Sequence, residues 1–370
     1  MLDSLVKEVK ALVKEELSKE EELIETLKIL APGTPLREGL ENMLKAKTGG
    51  LVVISDREAI MDIIDGGFHI NIDFSPAYIY ELGKMDGAII LSSDAKKIIY
   101  ANAQLIPDSS IPSSETGIRH RIAEQVAKET GEIVIAISQR RNIITLYKGY
   151  HKYVIQDTDK ILIKANQAIQ TLEKYRISLD RAMNSLSALE FEDLVTVYDV
   201  ALVLQRTEMV MKIAYEIEKF IYELGNEGRL VSMQLEELVA DVKKDGKHVI
   251  YDYNTNFEGD YDTIQKSIKL LSSEELLNLA NISRILGYGS NINALDLAVS
   301  TKGYRILTKI PRLPINVVDN IVKQFENFQK TLKASIEELD DVEGIGEVRA
   351  RAIREGLRRL QEQVLLDRHI

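Results

Sequence analysis

Nine residues, Ser113-Ser114-Glu115-Thr116-Gly117-Ile118-Arg119-His120-Arg121, stand at the mouth of a helix that the sequence predicts over 119–130. The first N–H groups of a helix have no partner within it, and the macrodipole favours anions there. Cations are normally unfavourable at that end. Arg119, His120 and Arg121 make sense in the first turn if an anion sits between them and the helix, and Arg grips phosphate oxygens in pairs. The plainer reading is an exposed basic turn pairing with Glu115 or Glu124. Asp86, within Met85-Asp86-Gly87-Ala88, opens an apolar strand. A carboxylate there can hold a divalent metal or take a proton from a hydroxyl. Its plainer reading is a turn residue closing the preceding helix. Neither G-x-x-x-x-G-K-[ST] nor Gly-x-Gly-x-x-Gly occurs, so neither standard nucleotide loop is present.

The far end offers different chemistry. In Val342-Glu343-Gly344-Ile345-Gly346-Glu347-Val348-Arg349-Ala350-Arg351 two glycines flank an apolar residue ahead of a helix. Glycine lets a phosphate approach the backbone, and the helix's first N–H groups can then hold it. Gly344, Ile345, Gly346, Arg349 and Arg351 are the candidate DNA contacts, with Ile345 pinning the hairpin to the core. Such contacts read backbone and shape, not bases. Leu307, Ile310, Leu313, Ile321 and Phe325 recur as Leu339, Val342, Ile345, Ile353 and Leu357 at a spacing of 32 residues. The repeat implies a duplicated helix-hairpin-helix unit of short helices. Its first hairpin, Pro311-Arg312-Leu313-Pro314, has prolines in place of glycines. Proline lacks an N–H, so that hairpin reads as packing.

Elements must position these groups. Residues 1 to about 30 read as a charged amphipathic helix ending before Ala31-Pro32-Gly33-Thr34-Pro35, with Thr34 or Thr48 as caps beyond it. Strands are expected at 51–54, 87–91, 98–101, 133–138, 143–147 and 153–155, with helices opened by Ser75-Pro76 and over 119–130. The fold class is α/β plus all-α. A mixed-sheet domain covers 1–155, a helical spine 156–298 and a tandem helix-hairpin-helix domain 299–370. Within the spine, Lys243 to Asp262 is polar and poorly periodic and reads as a loop. With no cysteine, thiolate metal sites and disulfides are excluded. No apolar run approaches the ~20 residues of a membrane span, so a cytoplasmic, nucleoid-associated chain is expected. A net charge of −11 argues against a wholly basic nucleic-acid coat, yet Lys302, Arg305, Lys309 and Arg312 form an acid-free stretch.

Asp86-Gly87-Ala88 and Arg119-His120-Arg121 resemble the two signature motifs of the diadenylate cyclase family. Ala31 to Arg37, Asp65-Gly66-Gly67-Phe68-His69, Tyr80 to Leu91 and Arg140-Arg141-Asn142 extend the resemblance to its DNA-integrity-scanning branch, over essentially the whole chain. The resemblance implies that two ATP molecules are joined into cyclic di-AMP with release of two pyrophosphates, between cyclase domains that face each other. It implies that Asp86 binds Mg²⁺ or Mn²⁺ and helps activate the 3′-hydroxyl, while Arg119, His120 and Arg121 hold phosphates. Gly87, Ala88, Gly117 and Ile118 fall in the same ATP site, with Ser138 and Arg141 as further phosphate contacts and Leu105 as an adenine contact. Some relatives carry Thr at Ile118 or Ile122. The implied partners are branched DNA such as Holliday junctions, recombination or repair proteins, and seven further copies in an octamer. The competing reading is a non-enzymatic DNA-binding scaffold whose α/β domain senses ATP. Asp86 separates the two, since a sensor has little need of a metal-binding carboxylate. Deleting the residues after about 300 is expected to remove DNA binding and keep cyclase activity.

Overall fold

The computed structural model describes residues 26–255 and 261–367, so the N-terminal helix expected over 1–30 lies largely outside the described residues. Two compact units are present: one holds 1–166 and 218–232, the other 167–217 and 233–370.

In the first unit, Thr34 accepts from the Arg37 N–H and caps α1, Pro35–Lys45, with Pro at the start. β1, Gly50–Ile54, is buried at every residue. It pairs parallel with β4, Ala88–Leu91, and antiparallel with β6, Ile133–Ser138. The remaining strands are β2 (Ile64–Asp65), β3 (Phe68–Asp73), β5 (Lys97–Leu105), β7 (Ile143–Lys148) and β8 (His151–Ile155), and the helices α2 (Glu58–Met61) and α3 (Pro76–Leu82) lie between them in sequence. The order is β2-β5-β4-β1-β6-β7-β8, with β3 continuing the β2 edge along β5. A mixed sheet covered on both faces explains why its central strands are continuous apolar runs. Val52, Ile54, Ile89 and Leu91 pack on one side with Leu40, Met43 and Ile79. Leu51, Val53, Ala88 and Ile90 pack on the other with Ala123, Val126 and Ala127 of α4, Ile118–Thr130. Gly131, at φ +74, ends that helix.

The long helices Thr158–Glu192 and Val197–Leu224 account for the expected spine, their residues 167–192 and 197–217 belonging to the second unit and the rest to the first. The loop expected over Lys243 to Asp262 is a correction. Val242–Tyr253 is a helix, and Tyr261–Lys269 is another. Lys243, Lys244, Asp245 and Lys247 obscured the period, but Val242, Gly246, Val249, Ile250 and Tyr253 form the buried face. Asp252 is also buried, for a specific reason: its Oδ1 accepts from the N–H groups of Gly303 (2.8 Å) and Tyr304 (2.6 Å), and its Oδ2 from Arg305 (3.0 Å). It caps the helix Tyr304–Leu307 from another element. Beside it, Arg305 pairs with Glu190 in full burial, and Tyr253 donates to Glu190 at 2.8 Å.

The duplication is visible in the backbone. Arg312 (φ +63) and Gly344 (φ +84), 32 positions apart, hold the same left-handed turn. Leu313 donates to Ile310 and Ile345 to Val342, again at that offset. Leu307, Ile310, Ile321, Leu339, Val342, Ile345, Ile353 and Leu357 share one buried core. The final helix, Glu347–Asp367, is long, which the reading of short helices missed.

Candidate functional site

A cleft of about 850 Å³ opens on the first unit. Its walls come from the start of β4 (Asp86, Gly87, Ala88), from β5 (Asn102 to Leu105), from the first turn of α4, and from the end of β6 with the turn after it. Asp86, Gly87, Ala88, Leu105, Gly117, Ile118, Arg119, His120 and Ser138 therefore converge, although they span more than fifty positions of sequence. Sequence reasoning missed Asn102, Gln104, Gln139 and Arg140, which also line it. No spacing rule marks them, because sheet pairing and not periodicity brings them there.

Asp86 is fully exposed, and its Oδ1 accepts from the Arg119 guanidinium at 3.1 Å. Gly49 makes this placement possible: a Cβ there would stand 2.6 Å from the Arg119 Nη1. Gly87 has a packing reason of its own. A Cβ on it would come within 2.4 Å of the Asn102 carbonyl carbon, while its N–H donates to the Asn102 Oδ1 at 3.1 Å. Ile118 is exposed at the first helical position, and Gly117 precedes it without a side-chain cap. The helix N-terminus thus faces the cleft with its N–H groups uncapped by any side chain.

Two expected members stand outside the cleft lining. Arg121 is exposed, and two residues beyond Arg119 on a helix is roughly 200° around the axis. Arg141 turns to Thr116, donating to its Oγ1 at 3.3 Å, and stands 4.0 Å from Glu115. Its neighbour Arg140 lines the cleft instead.

Beneath the helix lies a buried polar chain. Tyr147 of β7 donates to the Glu115 Oε1 at 2.9 Å and meets His120 Nδ1 at 2.9 Å. Lys152 of β8 pairs with Glu115. Burial opposes the Glu115 charge, but Lys152 and Tyr147 outweigh it and hold the carboxyl below its ordinary value. Burial holds the His120 imidazole low, against the pull of Glu115 and with help from Arg141 and Lys152.

A divalent cation is the group implied for this site. No cluster of three His, Asp or Glu exists among the described residues, so no closed protein cage is built. Asp86 is a single exposed carboxylate at the cleft mouth. That donor set fits a hard cation that keeps waters and binds through one carboxylate plus substrate phosphates.

In the second unit, Gly344, Ile345 and Gly346 form the hairpin ahead of Glu347–Asp367, with Ile345 buried and both glycines exposed. Arg349 donates to the Gly344 carbonyl, and Arg351 pairs with Glu347 at 2.5 Å. Both are exposed, so solvent screens these contacts and a phosphate competes for them.

Residues 37–152 match the family described as the DisA bacterial checkpoint controller nucleotide-binding domain. Residues 155–295 match the DisA bacterial checkpoint controller linker region, and 328–356 the helix-hairpin-helix motif. The DNA integrity scanning protein DisA of Acetivibrio thermocellus is 58% identical over 349 residues, 94% of this chain and 97% of its own. That of Clostridium kluyveri is 60% identical over 351 residues, 95% of this chain and 99% of its own. That of Clostridioides difficile is 58% identical over 348 residues, 94% and 98% respectively. No helix among the described residues is long and apolar enough to cross a membrane.

Proposed function

This chain belongs to the DisA family, and from that premise we propose that its diadenylate cyclase activity resides in the cleft between Asp86 and the first turn of α4. The observation that carries the reading is the meeting of one exposed carboxylate, one guanidinium and an uncapped helix N-terminus across that cleft. Arg119 and the first N–H groups of α4 hold phosphate, where fixed dipoles offset the charge that develops on phosphoryl transfer. Ser138 and Arg140 extend the polar wall, and Leu105 gives an apolar floor for a base. A divalent cation, Mg²⁺ or Mn²⁺, supplies charge neutralisation on the phosphates when bound, and Asp86 is its protein ligand. The cleft on one chain holds one ATP. Joining two nucleotides needs a second head opposite, so the chemistry calls for a symmetric assembly of at least two chains, and the family resemblance implies an octamer.

The C-terminal hairpins support DNA binding, and branched DNA is the partner we assign, with control of cyclase activity as its consequence and recombination or repair proteins as neighbours on the same DNA. The hairpin offers backbone N–H groups and Arg349 and Arg351 to phosphates, which reads shape. Exchanging both arginines for Gln should weaken DNA binding uniformly across sequences and lower the slope of log K against log salt by roughly 2. Fluorescence anisotropy at several salt concentrations measures this, and an unchanged slope removes both residues from the contact. Control is tested by adding saturating four-way junction DNA to the cyclase assay. A changed rate of cyclic di-AMP formation supports coupling, and an unchanged rate ends it.

A further inference from the structure

His120 is more than nine-tenths buried, yet it lines the cleft, and its Nε2 has no partner among the described residues. What its other nitrogen does decides what Nε2 can offer. Glu115 is ionised, buried and paired with Lys152, so it only accepts. The Tyr147 hydroxyl must therefore give its single hydrogen to Glu115, at 2.9 Å. The hydrogen between the Tyr147 oxygen and His120 Nδ1, also 2.9 Å, then belongs to His120. With Nδ1 protonated, a neutral imidazole carries a lone pair on Nε2. Such a nitrogen cannot donate to a phosphate oxygen; it accepts.

We propose that Glu115 and Tyr147 are positioning residues that lock His120 in its Nδ1–H form, so that Nε2 accepts a hydrogen bond from a donor on the nucleotide in the cleft. The inference rests on the nucleotide reading of that cleft and departs from the expectation that His120 grips phosphate. Two groups on ATP offer such a hydrogen, the ribose hydroxyls and the adenine amino group. The relay also explains how an uncapped first turn is held in place. His120 is the third helical residue, and it ties that turn to β7, β8 and the loop at Glu115. Charged and titratable groups facing the imidazole are Glu115, Tyr147, Lys152 and Arg141, and burial keeps it neutral near pH 7.

The test uses the full chain with ATP and Mn²⁺, and the variants Tyr147→Phe and Glu115→Gln. Loss of partners that orient an imidazole typically costs roughly 10–100-fold in activity, and that fall is expected in kcat for Tyr147→Phe, with a much smaller change in KM. Glu115→Gln still accepts from Tyr147, which guards against a folding failure, but removes the charge that raises the His120 pKa. Below that pKa Nε2 is protonated and no longer accepts, so activity falls on the acid side. In Glu115→Gln that acid limb should move to lower pH. A limb that stays put with wild-type kcat in both variants overturns the relay, and activity that rises as His120 protonates shows it donating to phosphate instead. ATP binding by calorimetry across the same pH range separates the two ideas. Wild type that binds ATP but forms no cyclic dinucleotide sinks the proposed function alone, while pH-dependent binding that Glu115→Gln does not shift sinks the relay alone. Repeating the titration with 2′-deoxy-ATP, 3′-deoxy-ATP and inosine triphosphate identifies the donor, since the analogue lacking it binds without that pH dependence.

Discussion

Asp86→Asn should cut cyclic di-AMP formation by about two to three orders of magnitude, the scale on which lost transition-state electrostatics is felt, while ATP binding stays measurable. The argument is local. Asp86 is the carboxylate of the cleft lining, fully exposed and bound, among the described residues, to Arg119 at 3.1 Å. Asn keeps the shape and one acceptor oxygen but loses the negative charge that a hard cation needs. The same change frees the Arg119 guanidinium from its ion pair and removes an anion from the phosphate site. ATP affinity measured without metal should therefore hold or tighten. Product formation by chromatography and mass reads the first effect, and calorimetry the second. An Asn variant that turns over at the wild-type rate would take Asp86 out of its assigned role.

The second large effect is on stability. Glu190 and Arg305 are both fully buried, and no other cation among the described residues is paired with Glu190. Glu190→Gln removes the carboxylate in direct contact with Arg305 and leaves Asp252 as the acid beside it in the core, where the Arg305 Nε and Nη1 have no hydrogen-bond partner among the described residues. Breaking a buried pair from one side costs about 3–5 kcal/mol. The amides of Gly303, Tyr304 and Arg305, bonded to Asp252 beside the pair, should then exchange with solvent far faster. Replacing both partners with Met should recover most of the loss, because two apolar side chains carry no desolvation cost. Wild-type protection in the single variant would show the pair to be without consequence.

This network also changes how the DNA-binding end should be probed. Deletion after about residue 300 looked clean in sequence, where the spine gives way to the repeat. In the fold that cut strips Glu190 and Asp252 of buried partners and takes Phe328 away from Phe191, whose rings pack edge to face at 5.4 Å. Residues 167–217 and 233–295 of the linker fall in one compact unit with the hairpins, so point changes in the hairpin separate DNA binding from folding better than truncation.

Much of the first unit was legible because its central strands are buried on both faces and so read as unbroken apolar runs, as at Leu51 to Ile54 and Ala88 to Leu91. Helix starts were legible where local chemistry marks them, as Ser75 and Pro76 do. The helix Val242–Tyr253 was not, because a polar residue earned burial through a distant partner: Asp252 caps a turn fifty residues on. At the site, Asp86 and Arg119 were visible as motifs. Glu115 and Tyr147 were not, since they meet only across 32 positions of chain and Glu115 alone reads as the partner of an exposed basic turn. Arg121 was placed with Arg119 by sequence adjacency and Arg141 by the family resemblance, and neither shows which way a side chain turns.

The most direct measurement is incubation of the purified chain with ATP and either Mg²⁺ or Mn²⁺, with products resolved by chromatography and mass. The account predicts cyclic di-AMP, with two pyrophosphates released for each. ATP that binds yet remains unchanged with both metals would contradict it and leave the nucleotide cleft a sensor.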